Sequence, residues 1–174
     1  MPNIFFCSDH HIDHQNILTF TKSDGSRLRD FESLEHMREH IVAQHNSVVG
    51  KRDKVYFLGD VTMSTKASAL EILDRMNGEK VLIKGNHDLC KPAAYLKYFK
   101  DIRGSLQFSG VILTHIPIHP ESLARWGVNI HGHLHHNRVM MPVAQISDRR
   151  YFNVSLECIN YTPISLEQIK SQVR

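Results

Sequence analysis

Ile4-Phe5-Phe6-Cys7 is a short apolar run that stops at Ser8-Asp9, the pattern of a buried strand ending in a polar loop. Residues 54–58 (KVYFL) and 80–84 (KVLIK) repeat it, ending at Gly59-Asp60 and at Gly85-Asn86-His87-Asp88. Three strands are thereby predicted, each delivering polar residues at its C-terminal end. Between the first two, Leu34, Met37, Ile41 and Val42 recur at helical spacing, with Glu35, Arg38 and Glu39 on the other side. This predicts an amphipathic helix over 33–48, with Ser33 able to cap its start. A second helix is expected over 66–76, stopped by Asn77-Gly78, and a short third over 92–99.

In the second half, Ser105–Phe108 and Val111–Thr114 form two strand-like runs joined through Ser109-Gly110, which suits a tight hairpin turn. The second run ends at His115. Residues 128–130 lead into His131-Gly132-His133-Leu134-His135-His136; 139–146 and 151–154 have the pattern of strands, and 165–172 that of a final helix. Strands alternating with helices, then clustered strands, predict an α/β sandwich whose loops gather on one edge, where open α/β sheets place their ligands. A length of 174 residues suits one domain spanning 1–174.

A hydrophobic fraction of 41% with 22% charged residues argues against disorder and against a disulfide scaffold. Histidine changes the picture: 13 imidazoles stand against five Tyr and one Trp, and imidazole is both the commonest metal ligand and a near-neutral acid or base. The net charge of +3 comes from scattered Lys and Arg, which suits a phosphate-bearing ligand without demanding nucleic acid. Cys7, Cys90 and Cys158 lie far apart with no C-x-x-C pair, the usage of reduced packing residues in a cytosol. No apolar run approaches the roughly twenty residues of a membrane span, and the N-terminus lacks a basic flank followed by a long apolar core, so a cytoplasmic protein without a membrane partner is expected.

Five separated clusters fall at or near predicted strand ends: Asp9 and His11, Gly59-Asp60, Gly85-Asn86-His87-Asp88, Thr114-His115, and Gly132-His133-Leu134-His135. Their donors are hard oxygen and imidazole nitrogen, with no thiolate, which favours Mn, Fe, Zn, Co or Ni over a structural Cys-zinc site. Seven such ligands exceed the needs of one ion. Two ions about 3.5 to 4 Å apart, bridged by one carboxylate and one hydroxide, would use them all and would clamp both oxygens of a phosphoryl displacement. Gly59, Gly85 and Gly132 precede ligands at points where a chain leaving a strand must turn sharply.

The ordered pattern D-x-H, G-D, G-N-H-D, H and G-H-x-H, spread from Asp9 to His135, resembles the calcineurin-like metallophosphoesterases. The resemblance implies a β-sandwich flanked by helices, in four layers α/β/β/α, with its metal site at the C-terminal edge of the strands. It implies two divalent ions per chain, Mn foremost, with Asp9, His11 and His135 on the first, Asn86, His115 and His133 on the second, and Asp60 bridging both. His87 would stand off the metals, contact the phosphate and protonate the leaving oxygen. Ser8-Asp9-His10-His11-Ile12-Asp13-His14-Gln15-Asn16-Ile17 is similar to the S-D-x-H-x-x-H-x-N-I opening of small bacterial and phage phosphoesterases, and Asn153-Val154-Ser155-Leu156-Glu157 to their C-terminal segment. His10 and Asp13 stand where that branch has Thr and Gly, a departure that bears on substrate preference. The G-D-x-x-D-R-G and G-N-H-E forms of the Ser/Thr protein phosphatases are absent.

The activity expected is hydrolysis of phosphate esters, nucleotide-derived ones included. A metal-bridging hydroxide attacks phosphorus in line, His87 acts as general acid, and Asn86 with the metals stabilises charge on the phosphoryl oxygens. A chain with no separate cap domain favours phosphodiesters, with phosphomonoesterase or small nuclease as alternatives of the same fold. An inert binding scaffold is the non-enzyme alternative, opposed by the presence of His87 and every ligand. A nucleic-acid module would show a concentrated basic stripe with interleaved aromatics, and none is visible. His14 and His119 flank ligand blocks and are candidates for contact with substrate or ordered water. Asp88 either hydrogen-bonds His87 and holds its tautomer or caps a turn. Solvated or packing roles are assigned to His36, His40 and His45 in the long helix, a solvated one to Arg125 and a packed one to Trp126.

Overall fold

Because successive strand side chains point to opposite faces, each of the first three strands carries two apolar faces. The computed structural model, which describes residues 2–173, buries both. β1 (Ile4–Cys7) pairs in parallel with β2 (Lys54–Phe57), β2 with β3 (Glu79–Ile83), and β3 with β4 (Asp101–Arg103). On one face, Phe5, Cys7, Val55, Phe57 and Leu82 pack against Met37, Ile41 and Val42 of α1 (Leu34–Val48), together with Leu70, Leu73, Tyr95 and Phe99. On the other, Phe6, Tyr56, Leu58, Val81 and Ile83 meet Val111, Leu113 and Ile130 of a second sheet, with Val154 just past its last strand.

That second sheet is built from β5 (Ser105–Phe108), β6 (Val111–Thr114), β7 (Val128–His131) and β8 (Tyr151–Asn153), in that order. β5 and β6 form the expected hairpin, and Ser109 (φ 48°) and Gly110 (φ 83°) both adopt the positive φ that a type I′ turn requires. β6, β7 and β8 are mutually parallel. A last strand, β9 (Ile164–Ser165), joins β1 antiparallel and leads into a closing helix over Leu166–Gln172, whose start is fixed by a reciprocal capping box between Ser165 and Gln168. The chain is thus a mixed α/β fold of two facing sheets flanked by helices. The outer face of the second sheet carries the thinnest cover: Ile112 and Tyr151 pack on Leu123 of the 3-10 turn Pro120–Arg125, with Trp126 half-buried beside them and Arg125 exposed.

Several expectations need correction. The helix over 66–76 is a 3-10 helix, Ala67–Arg75, and the one over 92–99 ends after one turn, at Tyr95. Residues 139–146 form no strand: Val143 is 98% exposed, and a lone bridge from Met140 to Ser147 is the local pairing. Pro142 interrupts the apolar run, and the chain turns back on itself, with Met141 N–H donating to Ile146 O at 2.8 Å. β4 and β9 were not expected, being short and only half-buried. Cys7 and Cys90 are buried as packing residues, and the half-buried Cys158 donates to the His135 carbonyl at 3.1 Å. No helix among the described residues is long and apolar enough to cross a membrane.

Candidate metal centre

β1, β2 and β3 are parallel, as are β6 and β7, and the five polar clusters leave their C-terminal ends. Backbone bonds continue strand pairing into the loops: Asp9 N–H donates to Gly59 O at 3.0 Å, His11 N–H to Asp60 O at 3.0 Å, and Gly132 N–H to His115 O at 3.0 Å. The result is two groups of three side chains, Asp9 with His11 and His135, and Asp60 with His115 and His133, each with its donor atoms within 4.8 Å of one another.

The second group shows most clearly what it is built for. His115 Nδ1 lies 2.7 Å from the Leu58 carbonyl oxygen, which only accepts, so Nδ1 carries the proton. Nε2 of the neutral ring then presents a lone pair, facing Asp60 Oδ2 at 3.2 Å and Asn86 Oδ1 at 2.9 Å. Three acceptors pointing at one another repel unless a proton or a metal ion stands among them. The same Asp60 oxygen is 3.7 Å from His11 Nε2 in the first group, so one carboxylate oxygen faces both. Among the described residues neither ring nitrogen of buried His11 has a hydrogen-bond partner, and Nε2 also lies 3.7 Å from Asp9 Oδ1. His135 donates Nδ1–H to Glu157 Oε1 at 3.0 Å, which leaves its Nε2 with a lone pair able to take a metal, the carboxylate–imidazole arrangement that metal sites use to fix a tautomer.

The charges agree with this reading. Burial alone would raise the Asp9 carboxyl, but the His11, His115 and His135 imidazoles and the Ser8 hydroxyl outweigh it and hold Asp9 below the usual carboxylate range. Asp60 is likewise lowered against its burial, by His115 and by the His87 N–H that donates to Oδ1 at 2.8 Å. Conversely, burial disfavours charge on His115 and His135, yet the neighbouring carboxylates raise both above the ordinary imidazole value. The centre therefore favours added positive charge.

The backbone pays a strain to aim these groups. Asp9, His11, Asp60, His133 and His135 have φ between 49° and 70°, and they are five of the ten described non-glycine residues at positive φ. Gly59 (φ 88°) needs the left-handed region, as expected of a sharp turn. Gly85 and Gly132 do not; they are required by close approach, because a Cβ would overlap the Asp60 carboxylate or the Ser8 and Asp9 side chains.

The remaining expected residues divide. His87 is half-buried with its ring 5.7 Å from that of His11, in neither metal group, and Asn86 is exposed beside His115. His14 lies 5.7 Å from His11, ring to ring, at the rim. His119 is exposed and its side chain caps the turn Pro120–Arg125 by accepting from Glu121 N–H, which gives it a local structural task. Asp88 does not bond His87. Wholly buried, it accepts from the backbone N–H groups of Gly85 (2.8 Å), Val61 (2.9 Å) and Asp60 (3.0 Å), and so ties two ligand loops together.

Three supporting residues lie outside the expected site residues. Arg29 is fully buried; it donates to Glu157 Oε1 at 2.7 Å, to the His10 carbonyl at 2.8 Å and to the Asp9 carbonyl. Glu157, pulled down to about 2 against its burial by Arg29 and His135, joins that cation to a ligand imidazole. Ser155 adds a hydroxyl on Asp9 Oδ2 at 2.9 Å. Arg29 sits in a polar stretch with no ligand motif, and the resemblance of 153–157 to a known segment was the one signal pointing at Glu157 and Ser155.

Among known proteins, the chain is 35% identical over 173 residues to the uncharacterized protein MJ1445 of Methanocaldococcus jannaschii, a match covering 97% of this chain and 90% of the relative. It is 38% identical over 95 residues to the gene 66 protein of Mycobacterium phage L5, across 51% of this chain and 41% of the phage protein. The crystal structure of AQ665 from Aquifex aeolicus, a protein of unknown function, superposes with a TM-score of 0.70 at 27% identity, covering 98% of this chain and 99% of that one. No family model matches.

Proposed function

We propose that this chain, which belongs to the family of the Methanocaldococcus jannaschii protein MJ1445, is a metal-dependent phosphoesterase acting on phosphodiesters. The observation that carries the reading is the set of lone pairs on His115, Asp60 and Asn86 turned toward one point, with Asp60 Oδ2 also facing His11. Asp9, His11 and His135 would hold one divalent ion, Asn86, His115 and His133 a second, with Asp60 shared; hard oxygen and imidazole donors without thiolate suit Mn. When bound, such a pair supplies Lewis acidity to a phosphoryl group and makes water nucleophilic near neutral pH.

The chain's own groups complete the chemistry. His87 is kept out of both metal groups while its backbone is pinned to Asp60, so its ring is free to hold a proton and pass it to the leaving oxygen. With Oδ1 turned to His115, the Asn86 amide has its N–H groups left to donate to a phosphoryl oxygen. An exposed Asn86 and half-exposed His87 leave the mouth open to an ester with two substituents, which favours diesters over monoesters.

The test is hydrolysis of bis(p-nitrophenyl) phosphate and p-nitrophenyl phosphate by Mn-loaded protein. Turnover of the diester, abolished by chelation, restored by Mn and lost in Asp60→Ala, is expected. Protein that holds two ions and hydrolyses neither substrate would instead be a binding scaffold.

A further inference from the structure

His14 leads into a short segment, Phe20 to Leu28, that folds back as a hairpin: Thr21 bridges Arg27, Lys22 N–H donates to Ser26 O at 2.8 Å, and Leu28 N–H to Phe20 O at 2.7 Å. Ile17 and Leu28 anchor the segment in the core at 1% and 9% exposure. Phe20 does not follow them. Its side chain is 44% exposed and belongs to none of the apolar clusters, although the core begins at its neighbours. Its ring lies 5.4 Å from that of His14, His14 lies 5.7 Å from His11, and His11 lies 5.7 Å from His87. A row of rings therefore runs from open solvent to the metal ligand and the acid. On the opposite flank, Ile116 is 52% exposed and shares a pocket with Asn86 and His115.

An aromatic face held at the rim of a polar, charged site is suited to stacking a flat ring, which costs the ligand little specificity because every base has a π-face. Inorganic phosphate gains nothing from such a wall, and a small alkyl group covers less of a flat ring than a second ring stacked on it. We propose that Phe20, with His14 behind it, is a specificity wall that stacks the aromatic group of the ester, a nucleobase or an aryl ring, on the His11 side of the metal centre. The proposal rests on the phosphoesterase reading and adds the class of substituent that the site selects.

The test titrates adenosine monophosphate, phenyl phosphate and methyl phosphate into the Mn-loaded protein by calorimetry, for the parent, Phe20→Ala and Phe20→Trp, after elemental analysis shows equal metal content. Binding of methyl phosphate reports the metal centre; the gain of the other two over it reports the wall. The parent should bind an aromatic phosphate about 5- to 100-fold more tightly than methyl phosphate, the usual worth of one stacked ring. Phe20→Ala should bring that ratio close to one, and Phe20→Trp should keep it. A gain for adenosine monophosphate alone assigns a nucleobase, and a gain for phenyl phosphate a simpler aryl ring. A ratio near one in the parent, or one that survives Phe20→Ala, overturns the wall while leaving the phosphoesterase reading in place. Failure of methyl phosphate to bind the loaded protein overturns both.

Discussion

Glu157 accepts the Nδ1–H of His135 at 3.0 Å through the same oxygen that accepts Arg29 Nε at 2.7 Å. The imidazole is thus held by a carboxylate whose charge is balanced from behind, and partners of this kind are worth about 10- to 100-fold in metal affinity. Glu157→Gln should weaken one of two bound ions by that factor and leave the other, as read by calorimetric titration with Mn. Equal weakening of both sites, or of neither, contradicts the assignment. Arg29→Met leaves a buried carboxylate uncompensated and should cost about 3 to 5 kcal/mol in denaturant unfolding of the metal-free protein.

Asp88 serves the loops rather than the proton. Replacing it with Ala strands three buried N–H donors and should destabilise the fold by about 3 kcal/mol or more, whereas Asn retains one acceptor oxygen and should recover part of the loss. Equilibrium unfolding of the pair checks this, and an Ala variant as stable as the parent would contradict it.

Acid should act twice. Ligating imidazoles must be deprotonated to bind, and His115 and His135 sit above the ordinary value of 6.5, so protons compete with metal even near neutrality; metal content and activity should fall together below about pH 6. The metal-free fold has its own dependence. Burial pulls His45, whose Nε2–H donates to Asn77 O, down to about 4 from 6.5. The unfolded chain binds a proton near 6.5 that the folded chain refuses until about 4, so this contribution is complete above that window and is lost as pH falls through it. By pH 5 the loss is about 2 kcal/mol. His45→Gln should shrink the stability difference between pH 7.5 and 5 by that amount; an unchanged difference would contradict the linkage.

His87→Ala should keep both ions and lower turnover by a factor on the order of a hundred to ten thousand. The loss should be smaller for p-nitrophenyl than for alkyl or nucleoside leaving groups, since an acidic phenol needs little protonation. Equal losses on a matched pair of diesters would assign His87 to phosphate binding instead.

What the sequence disclosed was mostly what lies next to a strand end. Apolar runs of four or five residues closed by Ser-Asp, Gly-Asp or Gly-Asn-His-Asp mark both a strand and a candidate ligand, because the chain must leave a buried sheet and turn at once. Arg29 and Glu157 were hidden because they meet across 128 residues, and no local pattern encodes such a partner. Residues 139–146 misled in the other direction: the run is rich in apolar residues, but Pro142 breaks it and the chain folds back on itself. His119 and Asp88 carried the right residue types beside the right blocks, and their contacts alone reveal a cap and a clamp.

The most direct test of the two-ion centre is an anomalous difference map from a crystal soaked in Mn. Two peaks are expected, one among Asp9, His11 and His135 and one among Asn86, His115 and His133, both within reach of Asp60 Oδ2. A single peak, or peaks elsewhere with the Asp60, His115 and His11 atoms bare, would contradict it.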